Sequence, residues 1–150
     1  MSAEIIIDAA DPDTAFKFLQ TSDDTAMIDC RTHAEWDRIG VADISETGRP
    51  QWFIEWVSGP GRAPNPAFLD EVLAQAGGVL PGRMFFICRS GARSAAAAHA
   101  VAALAEHMGR NVHCTNVVEG FEGHPAAGPR SGWKARGLPC GAYGVERGKT

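Results

Sequence analysis

Residues 84–104 constrain this chain more than any other stretch. An apolar run, Met84-Phe85-Phe86-Ile87, leads into Cys88-Arg89-Ser90-Gly91-Ala92-Arg93-Ser94, and an alanine-rich run follows to Leu104. The first run has the length and composition of a buried strand and the last those of a helix, which puts Cys88 in a strand-to-helix turn. Successive backbone N–H groups converge in such a turn, and the positive end of the helix dipole lies beside it, so the loop forms a cradle for an anion. Arg89 and Arg93 bring two guanidinium groups to the same place. All of these favour the thiolate, the nucleophilic form of cysteine. The alternative, an inert thiol closing an apolar strand, leaves the flanking glycine and arginines unexplained.

The remaining segments alternate between strand-like and helix-like patterns, as in an α/β fold with a mostly parallel five-stranded sheet flanked by helices on both faces. The strands are expected at residues 4–7, 26–29, 51–54, 84–88 and 112–117. Asp11 caps and Pro12 opens a helix to residue 20, and Thr32 caps the helix that carries Glu35 and Trp36. Residues 58–64 read as loop, and Asn65-Pro66 opens a helix to about residue 76, with Phe68, Leu69, Val72 and Leu73 on one stripe. The helix behind the central strand spans 93–108, and a short helix is expected over 132–136 in the glycine-rich and proline-rich stretch after residue 120. At 150 residues and 45% apolar, the chain suits a single domain, with its core at about 4–140 and a tail at 141–150.

Four segments carry a family resemblance. Cys88 to Ser94 has the form C-x-x-G-x-R-S between a strand and a helix; Asp29-Cys30-Arg31-Thr32-His33-Ala34-Glu35-Trp36 has the form D-x-R-x-x-x-E-[FWY]. Asn116-Val117-Val118-Glu119-Gly120-Phe121 matches N-x-x-G-G-[FW] with Glu119 in place of the first glycine, and Gly132-Trp133-Lys134-Ala135-Arg136-Gly137-Leu138-Pro139 matches G-W-x-x-x-G-L-P. In this order the chain resembles the rhodanese family of single-domain sulfurtransferases. It departs from that pattern over residues 37–45, where the family's G-H-I-P-G-A turn is missing, and in a long following segment, 46–66, that carries Trp52, Phe53 and Trp56.

The resemblance implies a rhodanese-like fold and a cysteine that carries sulfur as a persulfide. Cys88 would attack the outer sulfur of a small anionic donor such as thiosulfate, expel sulfite, and pass the sulfur to cyanide, a thiol or a protein acceptor. Backbone N–H groups of Arg89, Ser90, Gly91, Ala92, Arg93 and Ser94 would hold the terminal sulfur as an oxyanion hole holds oxygen. Arg93 would close the loop and Arg89 would meet the donor's sulfonate. Asp29, Arg31 and Glu35 are expected to be structural, with Arg31 and Glu35 paired across the first turn of their helix. In open α/β sheets ligands lie at the carboxyl ends of the strands, where Asp29, Cys88 and Glu119 all fall. The reaction drawn in this way needs no cofactor.

Two other functions compete. A cysteine phosphatase or arsenate reductase uses C-x5-R, whose wider ring fits a tetrahedral oxyanion, whereas four residues separate Cys88 from Arg93. A sulfur-carrier or partner-docking module with little thiosulfate turnover would keep the loop without the catalysis. A net charge of −4 argues against general nucleic-acid binding, and no apolar run is long enough for a membrane span. Cys30, Cys88, Cys114 and Cys140 show no C-x-x-C pairing, and the histidines show no metal-ligand spacing, so no metal site is expected. Unpaired thiols and the absence of a signal-peptide pattern point to the cytoplasm. These features leave the oligomeric state open.

Overall fold

The computed structural model describes residues 2–144, so residues 145–150 of the expected tail lie outside the described residues. The elements are β1 (Ile5–Ala10), α1 (Pro12–Thr21), β2 (Thr25–Asp29), α2 (His33–Ile39), β3 (Val41–Ala42), β4 (Gln51–Phe53) and β5 (Val57–Ser58). They continue with β6 (Ala63–Pro64), α3 (Phe68–Gln75), β7 (Arg83–Ile87), α4 (Ala92–Met108), β8 (Val112–Val117) and β9 (Cys140–Gly141). The main sheet has five strands in the order β1-β8-β7-β2-β4, all parallel. This is the expected rhodanese-like α/β architecture, with β7 at its centre.

Alternation along the strands divides the core between the two faces. Ala26, Ile28, Met84, Phe86 and Cys114 point toward α3 and α4, where they meet Phe68, Val72, Ala97, Ala98 and Val101. Met27, Phe85, Ile87 and Val117 point the other way, toward Ala15 and Leu19 of α1 and toward Phe121 and Trp133. Strands covered on both faces lose the polar alternation of half-exposed ones, so β2 is buried from end to end. The alanines of α4 let that helix lie close against β7 and β8, the two strands that carry the cysteine loop and its support.

Several boundaries differ from the sequence reading. β1 continues to Ala10, three residues past the expected end, because its whole length finds a partner in β8. Residues 57–64 are not simple loop: β5 and β6 form a small antiparallel hairpin. α3 starts at Phe68 rather than at Asn65, since the Asn65 side chain accepts from Ala67 N–H at 3.1 Å and makes a turn there instead. Residues 132–136 form a turn and not a helix; Gly132 and Gly137 bracket it at φ values of 106° and 77°. In place of the missing family turn after α2, Gly40 at φ 93° redirects the chain into β3, which pairs with β9. Trp52 is buried and Trp56 packs edge-on against Phe68, with ring centroids 5.0 Å apart, so both serve the core.

Candidate functional site

The carboxyl ends of β2, β7 and β8 meet at the cysteine loop. Cys88 follows β7 directly and is buried, with 1% of its surface exposed. The chain then turns through Gly91, the cap of α4, at φ 112°, a conformation that favours glycine over any residue with a side chain. The turn swings the Gly91 N–H back onto Cys88 Sγ at 3.2 Å. Ser94, one turn into the helix, places its Oγ 3.2 Å from the same sulfur. Among the described residues, Gly91 is the loop position whose N–H donates to Sγ. Ser90 and Ala92 shape the turn, and Arg89 and Arg93 point elsewhere.

β8 locks this arrangement. Ser94 Oγ donates to Asn116 Oδ1 at 2.6 Å, and Asn116 Nδ2 donates to the Gly91 carbonyl at 3.1 Å, so one side chain holds both sides of the turn. Behind the cysteine, the N–H groups of Phe121 and Glu122 donate to the carbonyls of Cys88 and Arg89 at 2.8 and 2.9 Å. Gly120 makes that approach possible: a Cβ there would lie 2.5 Å from the Arg89 carbonyl oxygen. The sequence reading assigned no role to Asn116. Its place at the end of the strand next to the cysteine strand was the available signal.

The charged residues pair differently from expectation. Arg31 does not bond Glu35. Its Nη2 donates to Asp29 Oδ2 at 2.8 Å and to the Gly40 carbonyl at 2.9 Å, with both partners of the Arg31–Asp29 ion pair fully buried. Asp29 also accepts from Trp36 Nε1 at 3.0 Å, so it ties β2 to α2 and is closed to substrate. Glu35 instead reaches the cysteine loop, accepting from Arg93 Nη1 at 2.7 Å and Nη2 at 2.9 Å. Its own capping box with Thr32 fixes it in place. Burial pushes the Glu35 carboxyl up, but the hydrogen bonds from Arg93 and from the Thr32 N–H outweigh it and hold the group at about 2. The hydrogen bonds to Glu35 in turn raise Arg93. Glu119 is also removed from the site: it adopts φ 72° where the family pattern has glycine, and its carboxylate binds Gly132 N–H and Arg136.

Arg89 extends into solvent, its Nε 3.4 Å from Glu122 Oε2. This pair stands on the rim of a cleft of about 270 Å³ that also touches Glu35, Arg38, Arg62, Ala34 and Ile39. The 46–66 segment and the loop after Gly120 thus both contribute walls, through Arg62 and Glu122. All four cysteines are free. Burial pushes the Cys30 thiol well up, and Cys88 and Asp29 beside it add to the effect, so Cys30 remains a neutral neighbour. No helix among the described residues is long and apolar enough to cross a membrane.

No family model matches the chain. The uncharacterized protein RP600 homolog of Rickettsia rickettsii is 30% identical over 125 residues, covering 83% of this chain and 89% of the relative. The uncharacterized protein RC0915 of Rickettsia conorii matches to the same extent. Among solved structures, Rv0390 from M. tuberculosis is 33% identical and superposes with a TM-score of 0.70, over 92% of this chain and 98% of that one. RPA3614 from Rhodopseudomonas palustris, a protein of unknown function described as a possible tyrosine phosphatase, is 18% identical at a TM-score of 0.47, which is too distant to inform the chemistry. The chain belongs to the family of the rickettsial RP600 proteins and Rv0390, with a rhodanese-like fold.

Proposed function

We propose that the protein is a sulfurtransferase that moves sulfane sulfur through a persulfide on Cys88. The observation that carries this reading is the size of the loop: four residues between Cys88 and Arg93, wound tightly enough that Gly91 N–H and Ser94 Oγ each lie 3.2 Å from the sulfur. A ring of this size suits one additional sulfur atom better than a tetrahedral oxyanion.

In the proposed cycle the Cys88 thiolate attacks the outer sulfur of thiosulfate. The donor's S–S bond breaks, its electron pair leaves with sulfite, and Cys88 becomes a persulfide. The loop N–H groups stabilise the terminal sulfur, which carries the negative charge. A thiophile then attacks that sulfur; cyanide gives thiocyanate, and a thiol gives its own persulfide, with the Cys88 thiolate restored. Arg93 acts on this chemistry by position, since its guanidinium is held by Glu35 and anchors the loop against α2. Arg89, more than half exposed, is the cation that meets the donor's sulfonate. Four free thiols fit a reducing compartment, and the cytoplasm is the location we propose.

The test is intact-mass measurement after incubation with thiosulfate, together with a thiosulfate:cyanide assay. The expected result is a one-sulfur adduct that reductant removes, mapped to Cys88, and catalytic formation of thiocyanate. A folded protein that forms neither would overturn the proposal.

A further inference from the structure

We infer that β1 is a docking edge for a second copy of this chain: two β1 strands pair antiparallel about a two-fold axis at Ile7 and join the two five-stranded sheets into one.

The edge is unguarded. β1 lies at one end of the sheet, six residues long and paired one to one with β8 without a bulge. Sheet edges are ordinarily protected from further pairing by shortness, proline, lysine or a bulge. The opposite edge, β4, is protected by its length of three residues. β1 reads Ile-Ile-Ile-Asp-Ala-Ala, with neither proline nor lysine, and Ile6 and Ile7 are 41% and 40% exposed. Its one charge, Asp8, is drawn back toward β8: Oδ1 accepts from Thr115 Oγ1 at 2.7 Å, and Oδ2 lies 2.7 Å from His113 Nε2.

The hydrogen-bonding phase of the edge determines what can pair with it. The N–H groups of Val112 and Val118 donate to the carbonyls of Glu4 and Ala10. Alternate residues of a parallel strand serve one neighbour, so Ile6 and Asp8 face β8 as well, and Ile5, Ile7 and Ala9 direct their N–H and C=O groups outward. No strand meets these groups among the described residues. A second β1 running the other way, with the axis at Ile7, sets Ile7 opposite Ile7 and Ile5 opposite Ala9. Each outward N–H then meets an outward C=O, and the same surface serves both copies.

Charge selects the same register. With the axis at Ile7, Glu4 stands opposite Ala10 of the second copy and Asp8 opposite its Ile6. An axis at Ile6 would set Glu4 against Asp8, and an axis at Asp8 would set that carboxylate against itself; like charges directly opposite one another destabilise a strand pair. The side chains agree. Ile7 and Ala9 line a recess with Ala95, Ala98 and His99 of α4, and Ile7 of the second copy falls on that face of the joined sheet, beside the recess. Because the two copies run in opposite directions, their cysteine loops open at opposite rims and neither covers the other.

Sedimentation velocity of the full chain from about 2 to about 200 μM is the test, and since an edge of this length is a small interface the expected result is a reversible monomer–dimer equilibrium in the micromolar range. Ile7→Lys, which sets two ammonium groups face to face, should weaken association at least about tenfold with an unchanged circular dichroism spectrum. Ile7→Pro removes an outward N–H and no hydrogen bond to β8, and should do the same. Cross-linking reads the register, in a Cys140→Ser background that removes the exposed thiol. There Ile7→Cys should give a disulfide-linked dimer on mild oxidation, since facing Cα atoms about 5.5 Å apart can be bridged, whereas Ile6→Cys and Asp8→Cys should not. A wild type that stays monomeric at about 200 μM, a dimer that both folded variants at Ile7 leave intact, or cross-linking through Ile6→Cys or Asp8→Cys in place of Ile7→Cys would overturn the inference.

Discussion

Replacing Glu35 by glutamine should destabilise the protein by about 2 kcal/mol at neutral pH, and the loss should disappear in acid. Glutamine preserves the shape of the side chain and can still serve the capping box with Thr32, so the substitution isolates the charge that faces Arg93. The folded structure holds the Glu35 carboxyl at about 2 instead of 4.5. At about 1.4 kcal/mol per pH unit that difference is worth about 3 kcal/mol. The pair keeps side-chain exposures of 13% and 15%, and solvent screening there reduces the figure to about 2 kcal/mol. Because the folded-state value is depressed, the contribution is complete above 4.5 and fades as pH falls toward 2. Urea unfolding at pH 7 should show a midpoint about 1 M lower for Glu35→Gln, at a slope of about 2 kcal/mol per M. The gap from wild type should close when the series is repeated toward pH 2. Equal midpoints at pH 7, or a gap that persists unchanged into acid, would refute the claim that this ion pair anchors the loop.

Cys88→Ser should retain the fold and abolish both the sulfur adduct and thiocyanate formation, since a neutral hydroxyl is no comparable nucleophile; activity above a few per cent of wild type would remove Cys88 from the mechanism. Arg89→Ala should raise KM for thiosulfate more than it lowers kcat, with a loss of about 1.5–3 kcal/mol in kcat/KM that shrinks in high salt. An unchanged KM would make Arg89 a solvated residue and favour a neutral or protein-bound donor. Gly120→Ala should cost at least about 3 kcal/mol, because a Cβ would press on the carbonyls of Cys88 and Arg89 at a backbone φ of 65°; thermal unfolding indistinguishable from wild type would contradict the close approach.

The features legible in the sequence were those set by neighbouring residues. Strand, turn and helix around Cys88 follow from an apolar run, a glycine and a set of alanines, each acting locally. Thr32 could be read as a helix cap for the same reason. The partners of long charged side chains were not legible, and Arg31 shows why. Its spacing from Glu35 matches a helical pair, but Thr32 is the cap, so Arg31 lies before the helix and the pairing geometry does not exist. Glu35 was free to take Arg93, 58 residues away, a choice made by the packing of α2 against the loop. The β5–β6 hairpin escaped notice because each strand has two residues, too few to show a period. The arginine cleft escaped because Arg38, Arg62 and Arg89 are scattered in the chain and meet only once the sheet has formed.

The order of the sheet also dictates when the site comes into being. β1 is the first strand of the sheet in chain order, yet its partner is the last: Ile5 pairs with Val112. Parallel pairings between such distant segments form slowly, after the loop between them has closed. The same late strand brings Asn116, and the chain beyond it brings the N–H groups that hold the carbonyls of Cys88 and Arg89. Cys88 therefore precedes in the chain the groups that brace its loop from the other side, although Gly91 and Ser94, which touch its sulfur, follow it directly. The surroundings of Cys88 are completed only when β8 and the segment that follows it have docked against β7 and its loop.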